Sequence, residues 1–308
     1  DGAVGSSRRV WVTIRETLVL LCIAIGLTPA FKMKFWNIGA EGQILMGGMA
    51  TAALMIYAGD AMPNWLLLIL IFIASAAAGL IWGLIPAVFK AYFNTNETLF
   101  TFMLNYVAMQ LVTFAIVFWE NPSGSNTVGI INAAGQKGWF PSIFGNMYGL
   151  NVIVVLIITF GMYVYMKYSK QGYEIAVVGE SQNTARYAGI NVKKVIIRTM
   201  MLSGAICGIA GCLIVSGASH TISTSTAGGR GFTAIIVAWM SKFNPFAMIL
   251  VSAFLVFMQQ GSIQIASQFG LNENASDIIT GILLFFLIGC EFFINYKLEW
   301  KKNHKEGK

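Results

Sequence analysis

Glu41 stands about one turn into an apolar stretch, with Asn37 four positions before it and Gln43 two positions after. A charge in hydrocarbon is costly, so a carboxyl there normally faces a cavity or a partner. Two readings stay open for this cluster. It is part of a pathway for a polar solute, or its inner gate; or it marks a helix end near the headgroups, where the N-terminal dipole favours Glu41 and Asn37 caps. Asn105 and Gln110 lie deeper in another apolar run. Buried amides must find partners, and theirs are either sugar hydroxyls and base edges or neighbouring helices. Gln259, Gln260 and Gln264 form a further polar set, and Gln260 and Gln264 share a helical face by their spacing. Glu97 sits at a helix start, where capping explains it.

The chemistry these residues offer is hydrogen bonding rather than bond breaking. His220 has no nucleophile or ligand set near it in sequence. Cys22, Cys207, Cys212 and Cys290 lie in apolar runs without CxxC spacing or paired histidines, so they read as free thiols. A membrane enzyme would need clustered His, Asp or Cys at an interface, and none is found. The chain is therefore expected to be no enzyme and to hold no metal or cofactor of its own.

The elements that position these residues follow from composition. Of 308 residues, 56% are hydrophobic and only 11% charged, with a mean hydropathy of +0.69. A soluble domain carries about 25% charged residues. Runs of about 20 apolar residues match a hydrocarbon core of roughly 30 Å, and backbone in lipid must be helix or closed barrel. The continuous runs here select an all-α, polytopic transmembrane helix bundle in a single transmembrane domain over 1–308. Nine segments are expected, at about 11–31, 36–59, 64–90, 97–119, 149–167, 195–217, 231–240, 245–267 and 277–296. The seventh is too short to span alone. Gly79 with Gly83, and Gly204 with Gly208, are GxxxG pairs that let helix backbones approach.

The net charge of +7 is read as orientation. With the C-terminus placed inside, fifteen of the 20 basic residues fall on inner segments, which supports a cytoplasmic C-terminus. That arrangement puts residue 1 outside, and a further helix upstream is expected. Trp36, Trp65, Trp119, Trp139 and Trp300 fall near predicted interfaces, as an aromatic belt would. Two loops stand out: an external one at 120–148 and a cytoplasmic one at 168–194. Residues 220–231 form a polar loop placed outside. It precedes the short seventh segment, whose N-terminus is open to a polar substrate; a contact with an external protein and a plain loop are the other options.

Within the inner loop, Ser181 is a good N-cap and Gly189 is placed as a C′ glycine. The two-turn helix between them needs a surface to dock on: its own bundle, or a cleft of a cytoplasmic ATPase. Residues 185–190 (ARYAGI), after Gly179 and Glu180, resemble the coupling loop of ATP-binding cassette importer permeases for nucleosides and simple sugars. Residues 35–43 (FWNIGAEGQ) are similar to that group's hallmark near a helix start. Asn96-Glu97 with 103–106 (MLNY), then 229–238 (GRGFTAIIVA) with Asn244-Pro245, match two further family segments in family order. Trp36, where small or aliphatic residues are usual, and Met240-Ser241 depart from the pattern.

The resemblance implies about ten helices per subunit and a second permease subunit, in the nucleoside branch commonly a paralogue. It implies two cytoplasmic ATPases that bind ATP, an external substrate-binding lipoprotein and residence in the plasma membrane. It assigns ATPase coupling to Gly179, Glu180, Ser181, Ala185, Arg186, Ala188 and Gly189, and makes Asn37, Glu41, Gln43, Asn105, Gln260 and Gln264 the pathway candidates. No Walker GxxxxGK[ST] occurs, so the chain does not supply its own ATPase. The competing reading is an ion-coupled secondary transporter, which would need paired membrane carboxylates; Glu41 alone is a fair candidate.

Overall fold

A computed structural model describes residues 3–143, 146–271 and isolated positions between 275 and 289. The described residues form helices and connections, with no strand among them. The helices are α1 (Ser7–Lys32), α2 (Ala40–Ala58), α3 (Asn64–Phe93), α4 (Glu97–Trp119) and α5 (Gly149–Tyr168). There follow α6 (Lys170–Glu180), α7 (Gln182–Tyr187), α8 (Val192–Ile214) with a π-helical continuation (Val215–Ser219), α9 (Arg230–Met240) and α10 (Pro245–Gln268). The chain divides into two compact units, one of residues 14–253 and the other of residues 1–13 and 254–308.

Helices α4 and α5 are inverted relative to those of a soluble protein. On α4 the buried stripe is Thr101, Asn105, Ala108, Val112 and Ile116, at near-helical spacing, while Leu99, Tyr106, Phe114 and Phe118 are exposed. On α5, Asn151, Val155, Thr159 and Met162 are buried and Ile157 and Phe160 exposed. Small and polar faces pack inward and large apolar faces point out, because hydrocarbon solvates the large apolar side chains. Six helices among the described residues are long and apolar enough to cross a membrane: α1, α3, α4, α5, α8 with its continuation, and α10.

Six of the nine expected segments are met by these helices among the described residues. Glu41, Gln43 and several glycines dilute the hydropathy of α2, which is nonetheless largely buried against its neighbours. At 11 residues, α9 is about 16 Å long by the 1.5 Å helical rise. The segment expected at 277–296, with Cys290, lies largely outside the described residues.

At the centre α2, α3 and α8 pack on one another. A Cβ on Gly79 would overlap the Gly204 carbonyl oxygen and the Gly208 backbone, and one on Gly208 would overlap the Ser75 carbonyl oxygen. The two GxxxG pairs thus meet each other. Gly47 and Gly211 bring α2 equally close to α8. Cys22, Cys207 and Cys212 are free, buried thiols.

The stretch 168–194 is helical nearly throughout. Ser169 ends α5 and caps α6, accepting from Gly172 N at 3.0 Å, and Ile175 and Val178 turn the apolar face of α6 inward. The stretch 120–148 is stitched to the helix ends: Asn132 Nδ2 donates to Met55 O at 2.7 Å, Gly138 N to Asn64 Oδ1 at 2.8 Å and Ile131 N to His220 O at 2.8 Å.

Candidate functional site

Glu41 is buried at 3% exposure in the first turn of α2. Its Oε1 accepts from Gly231 N at 2.6 Å, and the amides of Gly229 and Phe232 add to the interaction. Those amides open α9, whose N-cap Gly229 adopts φ +74° and supplies no side-chain cap. Glu41 therefore supplies, from another helix, the acceptor that the N-terminus of α9 lacks. The N-terminus expected to stay open to a substrate is occupied by this carboxylate. The Gly231 end of the polar stretch 220–231 thus reaches Glu41.

Arg230, beside that contact, donates to Glu16 Oε2 of α1 through Nη2 at 2.7 Å and Nε at 3.1 Å, and Arg15 also donates to Glu16. Glu16 was not foreseen as a site residue, although an adjacent Arg-Glu pair inside an apolar run was the signal. Both carboxylates carry fixed partners, an arrangement that suits a structural clamp better than a proton or ion carrier.

Asn37, Gln43 and Asn105 come together around the start of α2. Asn37 does not cap α2, whose N-cap is Gly39. It makes an Asx turn instead, its Oδ1 accepting from Gly39 N at 3.1 Å. The same amide exchanges two bonds of 3.4 Å with Gln43 and donates to Ser203 Oγ of α8 at 3.3 Å. Asn105 of α4 accepts from Gly42 N at 2.9 Å and donates to Ile38 O at 3.0 Å. Thr101 Oγ1 accepts from Ile38 N at 3.2 Å. The irregular backbone between α1 and α2 is thus satisfied by the side chains of Asn37 itself and of Thr101 and Asn105 of α4, as backbone away from water must be. The buried Trp82 indole N–H beside Gly42 has no partner. Gln260 and Gln264 lie half-buried on α10, in the other unit.

The segment around α7 has a different construction. Ser181 Oγ accepts from Thr184 N at 3.2 Å, capping α7. At the other end Gly189 takes φ +76°, Gly189 N donates to Arg186 O at 3.0 Å and Ile190 N to Ala185 O at 2.9 Å. This is a Schellman ending. Ala185 is fully buried in an apolar cluster with Met33, Ala87, Ile175 and Val195. Gly179 is buried too, because a Cβ there would overlap the Lys32 carbonyl oxygen. Glu180, Arg186, Ala188 and Gly189 are exposed, and Tyr187 is 93% exposed. Ala185 pins a six-residue helix whose other side chains face outward.

A family described as "branched-chain amino acid transport system / permease component" matches residues 12–288. The chain belongs to this permease family. Among similar permeases, the guanosine ABC transporter permease protein NupP of Bacillus subtilis is 29% identical over 290 residues, covering 93% of this chain and 83% of the relative. The nucleoside ABC transporter permease protein NupB of Lactococcus lactis is 26% identical over 305 residues, covering 96% and 83%. The glucose ABC transporter permease protein TsgB13 of Haloferax volcanii is 29% identical over 293 residues, covering 91% and 76%. No solved structure matches. The inverted helices and the family agree on a helical membrane permease component, and family membership stands against an ion-coupled secondary transporter.

Proposed function

We propose that this permease is the membrane-spanning subunit of an ATP-driven importer that translocates nucleosides or related simple sugars by alternating access. The observation that carries the proposal is α7: capped at both ends, pinned through Ala185 and otherwise exposed. A helix this short is not stable by itself. Held in this way, it presents a rigid knob that a cytoplasmic ATPase can push. ATP is bound by that partner, and no cofactor belongs to this chain. The other partners are a second permease subunit, taken to be a paralogue, and an external substrate-binding lipoprotein. The protein resides in the plasma membrane with its C-terminus in the cytoplasm, as one permease domain of about ten helices in which α2 also crosses, shielded from lipid by its neighbours.

The solute class follows the nucleoside permeases NupP and NupB, which align over most of this chain. The test reconstitutes the permease with its ATPase, second permease and binding lipoprotein, then measures ATP-dependent uptake of labelled nucleosides and sugars. Gly189→Val forces a β-branched residue into φ +76°, a conformation costly for any residue but glycine. We expect ATP hydrolysis to continue in this variant while nucleoside uptake falls at least tenfold. Uptake coupled to ATP as in the parent would refute the role of α7.

A further inference from the structure

A cleft of about 600 Å³ in residues 14–253 plays no part in the readings above. Its walls are Ile25 and Thr28 of α1 and Met162 and Met166 of α5, with Phe246 at the start of α10. At its mouth stand three lysines from three separate elements: Lys32 in the last turn of α1, Lys167 in the last turn of α5 and Lys242 in the connection from α9 to α10. No acidic residue is among the side chains that line it. Lys32 and Lys242 make no ion pair among the described residues, and Lys167 Nζ donates to the Tyr163 hydroxyl at 3.0 Å.

A lysine in the last turn of a helix complements the dipole and needs no cavity. That explanation covers Lys32 and Lys167 singly, but not the cleft between them or Lys242. Lys242 and Phe243 both take positive φ, +47° and +60°, a strained conformation for residues with side chains. This turn sets Lys242 at the mouth and Phe243 on the wall. Along α1 the lining runs from Ile25 through Thr28 to Lys32, and along α5 from Met162 through Met166 to Lys167, so the cleft grades from an apolar floor to a cationic rim. Both helices are apolar enough to cross a membrane, and their last turns therefore lie at its face.

We infer that this cleft is a binding site for an anionic phospholipid, with the phosphate among Lys32, Lys167 and Lys242 and the first acyl methylenes along Met162, Met166 and Phe246. Basic pockets between membrane helices bind such headgroups. A soluble phosphate would satisfy the lysines and leave the apolar floor without an occupant, so the source assigned is the lipid. The inference stands whichever solute is carried.

The test uses the full permease complex, purified in mild detergent and exchanged into phosphatidylglycerol or phosphatidylcholine, with retained lipid counted by native mass spectrometry. Phosphatidylglycerol should be held preferentially. Each of Lys32→Gln, Lys167→Gln and Lys242→Gln should weaken retention about fivefold, from roughly 1 kcal/mol per basic residue near a membrane surface, and the triple Gln variant by more than tenfold. The triple Arg variant should keep the lipid. Lys137→Gln, which removes the same charge from the external stretch, should change nothing. Equal retention of phosphatidylcholine, undiminished retention in the triple Gln variant, or displacement of phosphatidylglycerol by millimolar inorganic phosphate would each overturn the inference, the last in favour of a soluble-anion site.

Discussion

Replacing Glu41 by Ala removes the acceptor at the N-terminus of α9. The bond lost is a charge-assisted one of 2.6 Å to Gly231 N, inside the protein. Hydrogen bonds to charged groups contribute about 1.5–3 kcal/mol, and a carboxylate at a helix N-terminus adds about 0.3–1 kcal/mol, more where partly buried. A loss of about 3 kcal/mol is expected, concentrated on the first turn of α9, which has no cap of its own. Local opening is read directly by amide hydrogen exchange. At about 1.4 kcal/mol per tenfold, exchange of the amides at 231–233 should speed up roughly 100-fold in Glu41→Ala. Glu41→Gln keeps a carbonyl acceptor and should lose about a tenth as much protection. A Cβ at Gly231 would stand 2.8 Å from Glu41 N and 3.0 Å from Oε1. Gly231→Ala should therefore disturb the same contact, and the two changes should be non-additive in a double-mutant cycle. Unchanged exchange at 231–233 in Glu41→Ala would refute the capping role, whatever happened to uptake.

Gly208→Ala should lower stability by about 1–3 kcal/mol, the usual range for overpacking, because its Cβ would overlap Ser75 O of α3. Gly161→Ala, with nothing within 4 Å, should gain about 0.5–1 kcal/mol from helix propensity, and thermal denaturation of the two variants side by side checks the contrast. His220 lies outside the spans, stacked on Trp139 at 3.7 Å, and burial, then the charge of Arg15, hold its pKa below the ordinary histidine value. Below about pH 6.5 the unfolded chain therefore binds more protons than the folded one, so this contribution is complete above that pH and is lost as pH falls toward the folded value. Trp139 fluorescence and exchange in 120–148 should report loosening between pH 7 and pH 5 in the parent and a flat response in His220→Phe.

What could be read in the sequence was what local rules govern. Ser181 and Gly189 bracket α7 because a cap and a positive-φ ending each depend on a few neighbouring residues. Gly79, Gly83, Gly204 and Gly208 could be seen as contact positions because small residues at four-residue spacing leave a groove on any membrane helix. Their being each other's partners could not be seen. Glu41 drew attention as a carboxyl in an apolar run, yet its partner Gly231 lies 190 positions away with nothing local to announce it. Capping α2 was one of two readings open for Asn37, and the turn at Gly39 takes its oxygen instead. The helix α6 was missed because its apolar face is only Ile175 and Val178, too little periodicity to outweigh a polar setting. Among the described residues α2 falls short of a span by composition because Glu41, Gln43 and its glycines dilute its hydropathy, a dilution tolerated where protein rather than lipid surrounds the helix.

These placements bear on how a solute would be held. Asn37 uses both N–H groups and its oxygen on Gln43, Ser203 and Gly39, and Asn105 spends its best-placed donor and acceptor on Ile38 and Gly42. Glu41 is committed to α9 and Glu16 to two arginines. These four groups thus stabilise irregular backbone, a half-length helix or an ion pair, and little of their bonding capacity is left for a passing molecule. On the proposed function that economy has a consequence. A pathway that relied on these committed groups would bind its solute weakly, and weak binding permits release on the far side. Affinity then has to come from the external binding lipoprotein. On that proposal the polar cluster around Glu41, Asn37 and Asn105 would set the shape and rigidity of the passage, and the motion that opens it would be driven from outside the cluster, through α7.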